Sequence, residues 1–441
     1  MKANWQFRHQ FSPGFITLIM TLSMLLSACG GGGGGGGVST SMSLSATALT
    51  PGEIQISWSA DPTPGVIGYD LYRDGVALYG THISGTNITD RGLQPDTRYC
   101  YKAYAVVFPL GVVGQSNTAC ANTSAYAAGW SISNVGTGDY ADLALDASLG
   151  KHIVFRRADG LHYAVNTGTG WVDTLVDANA GSSGYTSIAL DHAGKPHLAY
   201  RHEATGGVYH ATNASGAWTI EAVNVSGGWV TALAVDSADK LRFAYSESPN
   251  YEVWYASNAA GAWSRSFLMG YGNNIQSVDI ALDSTGIVHI AYAVGDGICG
   301  IEYANNAGGA WTVTGIDSST ACGAALALDS SDIPHVAYWK SMDVIHASLA
   351  GGIWNKEIVD TLSWIGGSLL SIDMDNGGHP HISYADQNGD LKYARKTSGG
   401  WTTVYIDQVT TRSILKIGAD NRAYILYGGD GAGTLSLAVS P

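Results

Sequence analysis

The stretch IALDHAGKPHLAY, residues 188–200, is the most informative part of this sequence, because close variants of it recur along most of the chain. Each copy has alternating apolar residues on both sides of Asp-x-x-Gly or a near variant, a pattern typical of two short strands joined by a tight turn. In six copies the aspartate precedes the closing aromatic residue by nine residues, which keeps the hairpin in register. The copies begin at Leu143, Ile188, Leu233, Ile280, Leu326, Ser371 and Leu415.

A tryptophan and a further apolar segment repeat with the same period. The tryptophans lie 41–48 residues apart, and segments such as LHYA (161–164) and VWYA (253–256) follow the hairpins. A period of about 40–50 residues is typical of β-propeller blades or of a solenoid. Each repeat then supplies four strands, with the tryptophans in the core. These tryptophans are Trp130, Trp171, Trp218, Trp263, Trp311, Trp354 and Trp401.

The two ends of the repeat region favour a closed ring. The region opens with a tryptophan strand at 130–134 that has no hairpin before it, and it closes with a third strand at 435–439 that has no tryptophan strand after it. If the first strand completes the last blade, the exposed sheet edges disappear. A solenoid would instead need capping repeats. We therefore predict an all-β chain in which residues 126–441 form a seven-bladed β-propeller.

The first forty residues predict export. Lys2 and Arg8 precede an apolar run at 15–26 that is short for a membrane span and has the form of a signal peptide. The following Leu-Ser-Ala-Cys resembles the lipobox of bacterial lipoproteins. That resemblance implies a signal peptide over 1–28, lipid on Cys29 and a glycine-rich tether over 29–40. The alternative is an ordinary signal peptide with an incidental cysteine. Because Gly30 is not aspartate, the resemblance implies an outer-membrane or cell-surface location.

Residues 41–124 resemble a fibronectin type III domain. The matching features are Trp58 in ISWSA, Tyr69 in YDLYRDG, and the stretch LQPDTRYCYKAYAV. Within that last stretch, the family's tyrosine-corner pattern is matched by Leu93, Pro95, Thr97 and Tyr99. The resemblance implies a β-sandwich that acts as a spacer or an adhesive module.

The cysteines and the net charge limit the chemistry. With Cys29 assigned to lipid, four cysteines remain, and three pairings are possible. The domain boundaries favour Cys100–Cys120 in the sandwich and Cys299–Cys322 in the propeller. No Cys-x-x-Cys spacing is present, so we predict neither zinc nor a cofactor. The formal net charge of −14 disfavours nucleic acid as a partner.

Histidine and aspartate recur at fixed positions of the hairpin. A residue repeated in most blades is typical of the hydrogen bonding within each blade, as in WD-type propellers, so we predict structural roles and no metal. The turn is also similar to the Asp-box (BNR) repeat of sialidase-type propellers, although no tryptophan ends it here. No Arg-Ile-Pro motif occurs, and a catalytic carboxylate pair cannot be located by spacing, so we name no catalytic residue.

Aromatic residues in the loops entering the innermost strands form the candidate ligand site. Exposed aromatic rings beside polar groups suit the C–H faces of sugars, although the same rings could instead fill gaps between blades. Residues of the loops between the second and third strands join them on the same face. The candidate residues are Tyr140, Tyr185, Arg201, Trp229, Tyr271, Trp339 and Trp364.

Two functions follow from this reading. We expect a surface-tethered, monomeric, non-catalytic binding or adhesion protein that recognises a glycan or an extracellular protein. The alternative is an exported carbohydrate-active enzyme, a sialidase-like glycoside hydrolase or a lyase, because propeller scaffolds host both classes.

Overall fold

A computed structural model describes residues 39–182, 184–225, 227–247, 251–270, 275–295, 300–318, 320–362, 370–386, 388–408, 412–428 and 433–441. Within these ranges all regular secondary structure is β-strand, and the strands are numbered β1 to β37 in chain order. No helix long and apolar enough to cross a membrane occurs in these ranges. Cys29 and the segments assigned to signal peptide and tether, up to residue 38, lie outside the described residues.

The first nine strands form a two-sheet β-sandwich. One sheet has the order β2-β3-β6, and the other has the order β1-β8-β7-β4-β5 with β9 paired to β7. The Tyr99 hydroxyl accepts the backbone N–H of Gln94 at 3.0 Å, which confirms the tyrosine corner. The bounds are β1 (Thr40–Met42), β2 (Leu44–Thr50), β3 (Glu53–Trp58), β4 (Val66–Arg73), β5 (Val76–Ala77), β6 (Asn87–Arg91), β7 (Arg98–Val107), β8 (Gly111–Ser116) and β9 (Ala119–Asn122).

The remaining strands form four-stranded antiparallel sheets, seven of them across the described ranges, numbered here from the sheet that begins with β11. The strands of sheets one to three are β11 (Asp139–Leu145), β12 (Lys151–Arg157), β13 (Gly160–Asn166), β14 (Trp171–Asp177), β15 (Thr186–Leu190), β16 (Pro196–Arg201), β17 (Val208–Thr212), β18 (Thr219–Asn224), β19 (Gly228–Val235), β20 (Leu241–Glu247), β21 (Glu252–Ser257) and β22 (Ser264–Gly270). Those of sheets four to six are β23 (Ile275–Leu282), β24 (Val288–Val294), β25 (Gly300–Asn305), β26 (Thr312–Asp317), β27 (Ala321–Leu328), β28 (Pro334–Lys340), β29 (Asp343–Ala350), β30 (Ile353–Thr361), β31 (Ser371–Met374), β32 (Pro380–Ala385), β33 (Leu391–Thr397) and β34 (Gly400–Asp407).

Sheet seven closes the ring with strands from both ends of the repeat region. Its strands are β35 (Arg412–Ile417), β36 (Ala423–Gly428), β37 (Thr434–Val439) and β10 (Ser131–Thr137), and β10 is the outermost. The β10–β37 pairing is antiparallel and runs from Ser131↔Val439 to Thr137↔Thr434. Each innermost strand contacts the next, and β35 contacts β11. The predicted closing strand and the all-β propeller class are therefore confirmed.

The recurrent tryptophans pack between neighbouring sheets. Trp218 of sheet two meets Tyr163 of sheet one edge to face, with ring centroids 5.3 Å apart. Trp354 of sheet five meets Tyr303 of sheet four in the same way at 5.2 Å. Such aromatic pairs contribute about 0.5–1.5 kcal/mol beyond their burial. One blade therefore depends on the next for its core, and the tryptophans have the structural role that the repeat predicts.

Candidate functional site

On the face that carries the tight turns, the repeated aspartates form hydrogen bonds within the turns themselves. In the first turn, Asp146 Oδ1 accepts the N–H groups of Ser148 and Gly150, both at 2.8 Å. The equivalent carboxylates make the same pair of bonds in the next five sheets, so these aspartates are turn formers as predicted. They are Asp191, Asp236, Asp283, Asp329 and Asp375.

The repeated histidines are also used within their own sheets. His152 Nδ1 contacts the Tyr163 hydroxyl at 2.6 Å, and its Nε2 lies 3.2 Å from Asp146. In sheet five the third-strand partner is a second histidine, with His335 Nδ1 2.8 Å from His346 Nε2. Among the described residues, no group of three or more His, Cys, Asp or Glu side chains is arranged to hold a metal ion. Each repeated histidine thus links a second strand to a third strand and to a turn.

The opposite face, on which chain segments enter the innermost strands, brings two predicted tyrosines together. The rings of Tyr140 and Tyr185 meet edge to face with centroids 5.9 Å apart. The guanidinium of Arg412, at the start of β35, lies 4.7 Å from the first ring centroid and 4.4 Å from the second. Stacking of this kind holds an arginine and an aromatic surface in one arrangement. Tyr140 has a φ of +52°, which an ordinary strand residue does not adopt.

A second guanidinium–aromatic pair adjoins the first on the same face. The Arg201 guanidinium lies 5.0 Å from the ring centroid of Trp229, whose side chain is 48% exposed. Arg201 also packs closely against Gly184, the residue before Tyr185. The two residues are so close that a Cβ added to Gly184 would lie 3.1 Å from the Arg201 Cβ. Arg201 Nε is buried and has no hydrogen-bond partner among the described residues. We call Tyr140, Tyr185, Arg201, Trp229 and Arg412 the mouth strip.

Arg156 fixes the backbone beneath the mouth strip. This side chain is 1% exposed, and it donates to the carbonyls of Gly184 at 2.7 Å and of Ala180 and Gly181 at 2.9 Å each. It also donates to the carbonyl of Arg201. Burial lowers the pKa of Arg156 to about 10. One buried cation therefore orders both the loop before Tyr185 and the end of the strand that carries Arg201.

Behind the mouth strip, the central channel holds a polar cavity of about 390 Å³. Asp142, Asp279 and Asp373 line it and each accepts a backbone N–H from another sheet, at 2.9, 2.8 and 2.7 Å. Burial raises the pKa of Asp279 to about 6 and also raises that of Asp142. Burial alone would lower the pKa of Lys416, but Asp373, Asp142 and Asp279 together raise it. These carboxylates tie sheets to one another, and Lys416 balances part of their charge.

The other predicted site residues have different outcomes. Trp339 is wrong as a stacking surface, because its side chain is only 3% exposed and packs edge to face on Tyr384 at 5.9 Å. Tyr271 and Trp364 lie outside the described residues, so their assignment stays a prediction. Sequence reasoning missed Arg156 and Arg412 as parts of the site, because no local motif marks either residue.

The disulfide predictions are confirmed in the sandwich. Cys100 and Cys120 are bonded, with Cα atoms 4.0 Å apart, and join β7 to β9. Cys322 is also disulfide-bonded. Its predicted partner, Cys299, lies outside the described residues.

Comparisons with known proteins find likeness to parts of the chain. No protein-family profile matches it. An 84-residue segment, 19% of this chain, is 38% identical to Chitinase A1 of Niallia circulans and spans only 12% of that enzyme.

Solved β-propellers resemble the chain in structure. A lectin of Aleuria aurantia, described as a six-bladed β-propeller with a novel fucose recognition mode, has a TM-score of 0.44 at 14% identity and covers 64% of this chain and 97% of its own. AofleA of Arthrobotrys oligospora gives 0.44 at 15% identity, covering 63% and 89%. The polysaccharide lyase Uly1 gives 0.45 at 12% identity, covering 68% and 89%.

Proposed function

We propose that this protein is a non-catalytic carbohydrate-binding protein and that the mouth strip is its glycan site. One observation carries the proposal: Tyr140, Tyr185 and Trp229 lie on one face of the ring, each in contact with an arginine guanidinium. Sugars present C–H faces that pack on aromatic rings and hydroxyls that bond to nearby polar groups. The mouth strip offers both kinds of contact in one place.

The electrostatics of the mouth strip suit hydroxyl-rich ligands. Arginine supplies several N–H donors in a fixed plane and no acceptors. The guanidinium of Arg201 is already held in one orientation by its stacking on Trp229. Fixing the donors in advance reduces the entropy lost on binding, which favours recognition of a flexible ligand.

The remainder of the chain fits a surface-tethered display of this site, and we propose the following organisation. Residues 1–28 are removed, Cys29 carries lipid, residues 29–40 are the tether, the sandwich over 41–124 is a spacer, and the ring over 126–441 binds the glycan at the outer membrane or cell surface. In this organisation, attachment to the membrane through Cys29 would keep the bound glycan near the cell.

A glycan array followed by titration calorimetry tests the proposal. Trp229→Ala removes the exposed ring and the support of Arg201, and we expect it to weaken binding about thirtyfold, roughly 2 kcal/mol. Phe267→Ala is the matched control, because Phe267 is 51% exposed but lies on the outer strand of the same sheet. An equal loss in both variants, or no glycan bound by the wild type, contradicts the proposal.

Incubating each bound glycan with the wild-type protein tests for catalysis. We expect the glycan to be recovered intact by mass spectrometry. Cleavage products would contradict a non-catalytic function and would support the alternative, a glycoside hydrolase or a lyase.

A further inference from the structure

Buried polar atoms without hydrogen-bond partners are concentrated where the sandwich meets sheet six. Among the described residues, thirteen buried side-chain atoms have no partner, and six of them lie at this junction. Native proteins satisfy most buried polar groups, so such a concentration needs a physical explanation. The atoms are Glu53 Oε1, Tyr126 Oη, Asp386 Oδ2, Asn388 Nδ2 and both carboxylate oxygens of Asp390.

The junction is built from the sandwich, the segment that follows it and sheet six. Arg91 Nη1 donates to Asn388 Oδ1 at 3.1 Å, and the N–H of Ala127 donates to the carbonyl of Tyr405 at 2.7 Å. Gly52 adjoins the turn of sheet six, because a Cβ built on it would lie 3.9 Å from Asp390 Oδ2. The sandwich therefore covers the turn between β32 and β33, and through Gly52 it also approaches Gln408, directly after β34.

Three carboxylates are enclosed in this contact. Asp390 is 0% exposed, Glu53 1% and Asp386 5%. Asp386 Oδ1 accepts the N–H groups of Asn388 and Asp390, at 2.8 and 3.0 Å, but its Oδ2 has no partner. Glu53 Oε1 lies 2.8 Å from Arg91 Nη1, a close ion pair that lacks hydrogen-bond geometry.

The other groups facing Asp390 do not neutralise it. Asp386, Glu53 and Asp407 add negative charge, and the hydroxyls of Tyr126 and Tyr405 are uncharged. The positive groups are Arg91, which is paired with Glu53, and Lys392, which is paired with Asp360 and lies 4.6 Å from the Tyr405 ring centroid. In the described part of the chain, neither forms an ion pair with Asp390.

An unpaired buried carboxylate is costly, so such a group takes up a proton instead. Burial, together with Asp386 and Glu53, raises the pKa of Asp390 to about 7. Burial also raises the pKa of Asp386. Uptake of a proton by Asp390 removes the unpaired buried charge.

We propose that the junction is a proton-dependent latch: the sandwich is docked on sheet six while Asp390 is protonated, and ionisation of Asp390 between Asp386 and Glu53 releases it. The turn at 386–390 connects β32 to β33, as the segment after Arg201 connects β16 to β17, so both lie on the face of the mouth strip. Release therefore moves the sandwich relative to the mouth strip. The effect of that movement on glycan binding rests on the proposed function, whereas the latch itself does not.

The sign of the pH dependence follows from the two states. In the released state Asp390 returns to an ordinary carboxyl pKa, near 4. Between about pH 4 and pH 7 the docked state binds more protons, so docking weakens as the pH rises, by up to tenfold per pH unit. Above pH 7 the two states bind equal numbers of protons and the dependence ends.

Energy transfer in the full-length chain tests the latch. Labels on Val76→Cys and Ile353→Cys, positions 70% and 68% exposed, report the separation of sandwich and ring. In buffer with a chelator, we expect the signal to change between pH 5 and pH 8 in the wild type. Asp390→Asn, which copies the protonated form, should stay docked throughout. Asp159→Asn, the same change at an exposed turn of sheet one, is the matched control and should follow the wild type.

A second variant keeps the test decisive if Asp390→Asn does not fold. Asp386→Asn removes one repulsive charge, so we expect its release to need a higher pH than in the wild type. A wild-type signal that does not change with pH, or an Asp390→Asn variant with the wild-type response, overturns the latch. Restoration of docking at pH 8 by calcium alone would also overturn it, since the compensating charge would then be a cation. Glycan titrations of Trp229→Ala remain a separate test of the proposed function.

Discussion

Removing the Arg156 side chain should destabilise the ring and disable the mouth strip together. The guanidinium donates to four backbone carbonyls that lie 24–45 residues further along the chain. At about 1 kcal/mol net for each bond, the four contribute about 4 kcal/mol, and the cost of burying the cation offsets part of this. We expect Arg156→Ala to lower the free energy of unfolding by about 3 kcal/mol, because it also leaves four carbonyls unpaired.

Thermal melting and glycan titration measure the two effects separately. We expect the melting temperature to fall by about 6–10 °C and the glycan affinity to fall at least tenfold, measured below the transition. Arg156→Lys should recover part of the stability only, because an ammonium cannot match the planar fork of the guanidinium. Arg395→Ala is the control: Arg395 is exposed on β33, and its loss should cost about 1 kcal/mol or less. Melting and affinity unchanged in Arg156→Ala would refute the reasoning.

Three further predictions concern closure, acid stability and anchoring. Trp130→Ala should cost about 3 kcal/mol in chemical denaturation, because the ring of Trp130 packs on Tyr393 of sheet six at 5.2 Å; a cost near zero would contradict a closing role. Burial, and after it His346, lowers the pKa of His335 to about 4. As the pH drops from about 6.5 to 4, the unfolded chain binds a proton at this histidine before the folded chain does, so the free energy of unfolding should fall. His346→Tyr, which copies the His–Tyr pairing of sheets one, four and six, should reduce this loss in thermal melts at pH 4.5. Cys29→Ser should abolish metabolic lipid labelling and membrane fractionation, and unchanged labelling would exclude the anchor.

The sequence predicted those parts of the fold that depend on short, fixed spacings. The hairpins, the tyrosine corner and the outer position of β10 all follow from local register or from the order of repeats, and all are confirmed. A one-residue slip would turn each apolar set to the wrong side of its sheet, so these patterns leave few alternatives.

The mouth strip was predicted only in part, since its contacts are not local. Tyr140, Tyr185, Arg201 and Trp229 were named from their loops, but Arg412 reaches two of them from the other end of the ring. Trp339 was wrong because loop position alone does not indicate which side of the chain a ring faces, and here it faces Tyr384 of the next sheet. Arg156 bonds only to carbonyls, which every residue carries, so no residue type marks its partners.

The outermost position of β10 has a mechanical consequence. A pulling force applied to the N-terminal part of the chain, against a ligand held by the ring, passes through β9, where Cys100–Cys120 ties that strand covalently to β7. It then passes the contact between Ala127 and Tyr405 and reaches β10, whose ladder with β37 closes the ring. Among the described strands, β10 pairs with its sheet only through β37, so failure of this ladder would open the ring while the other six sheets keep all four strands. The strand that closes the ring is thus also the strand whose detachment under tension would open it.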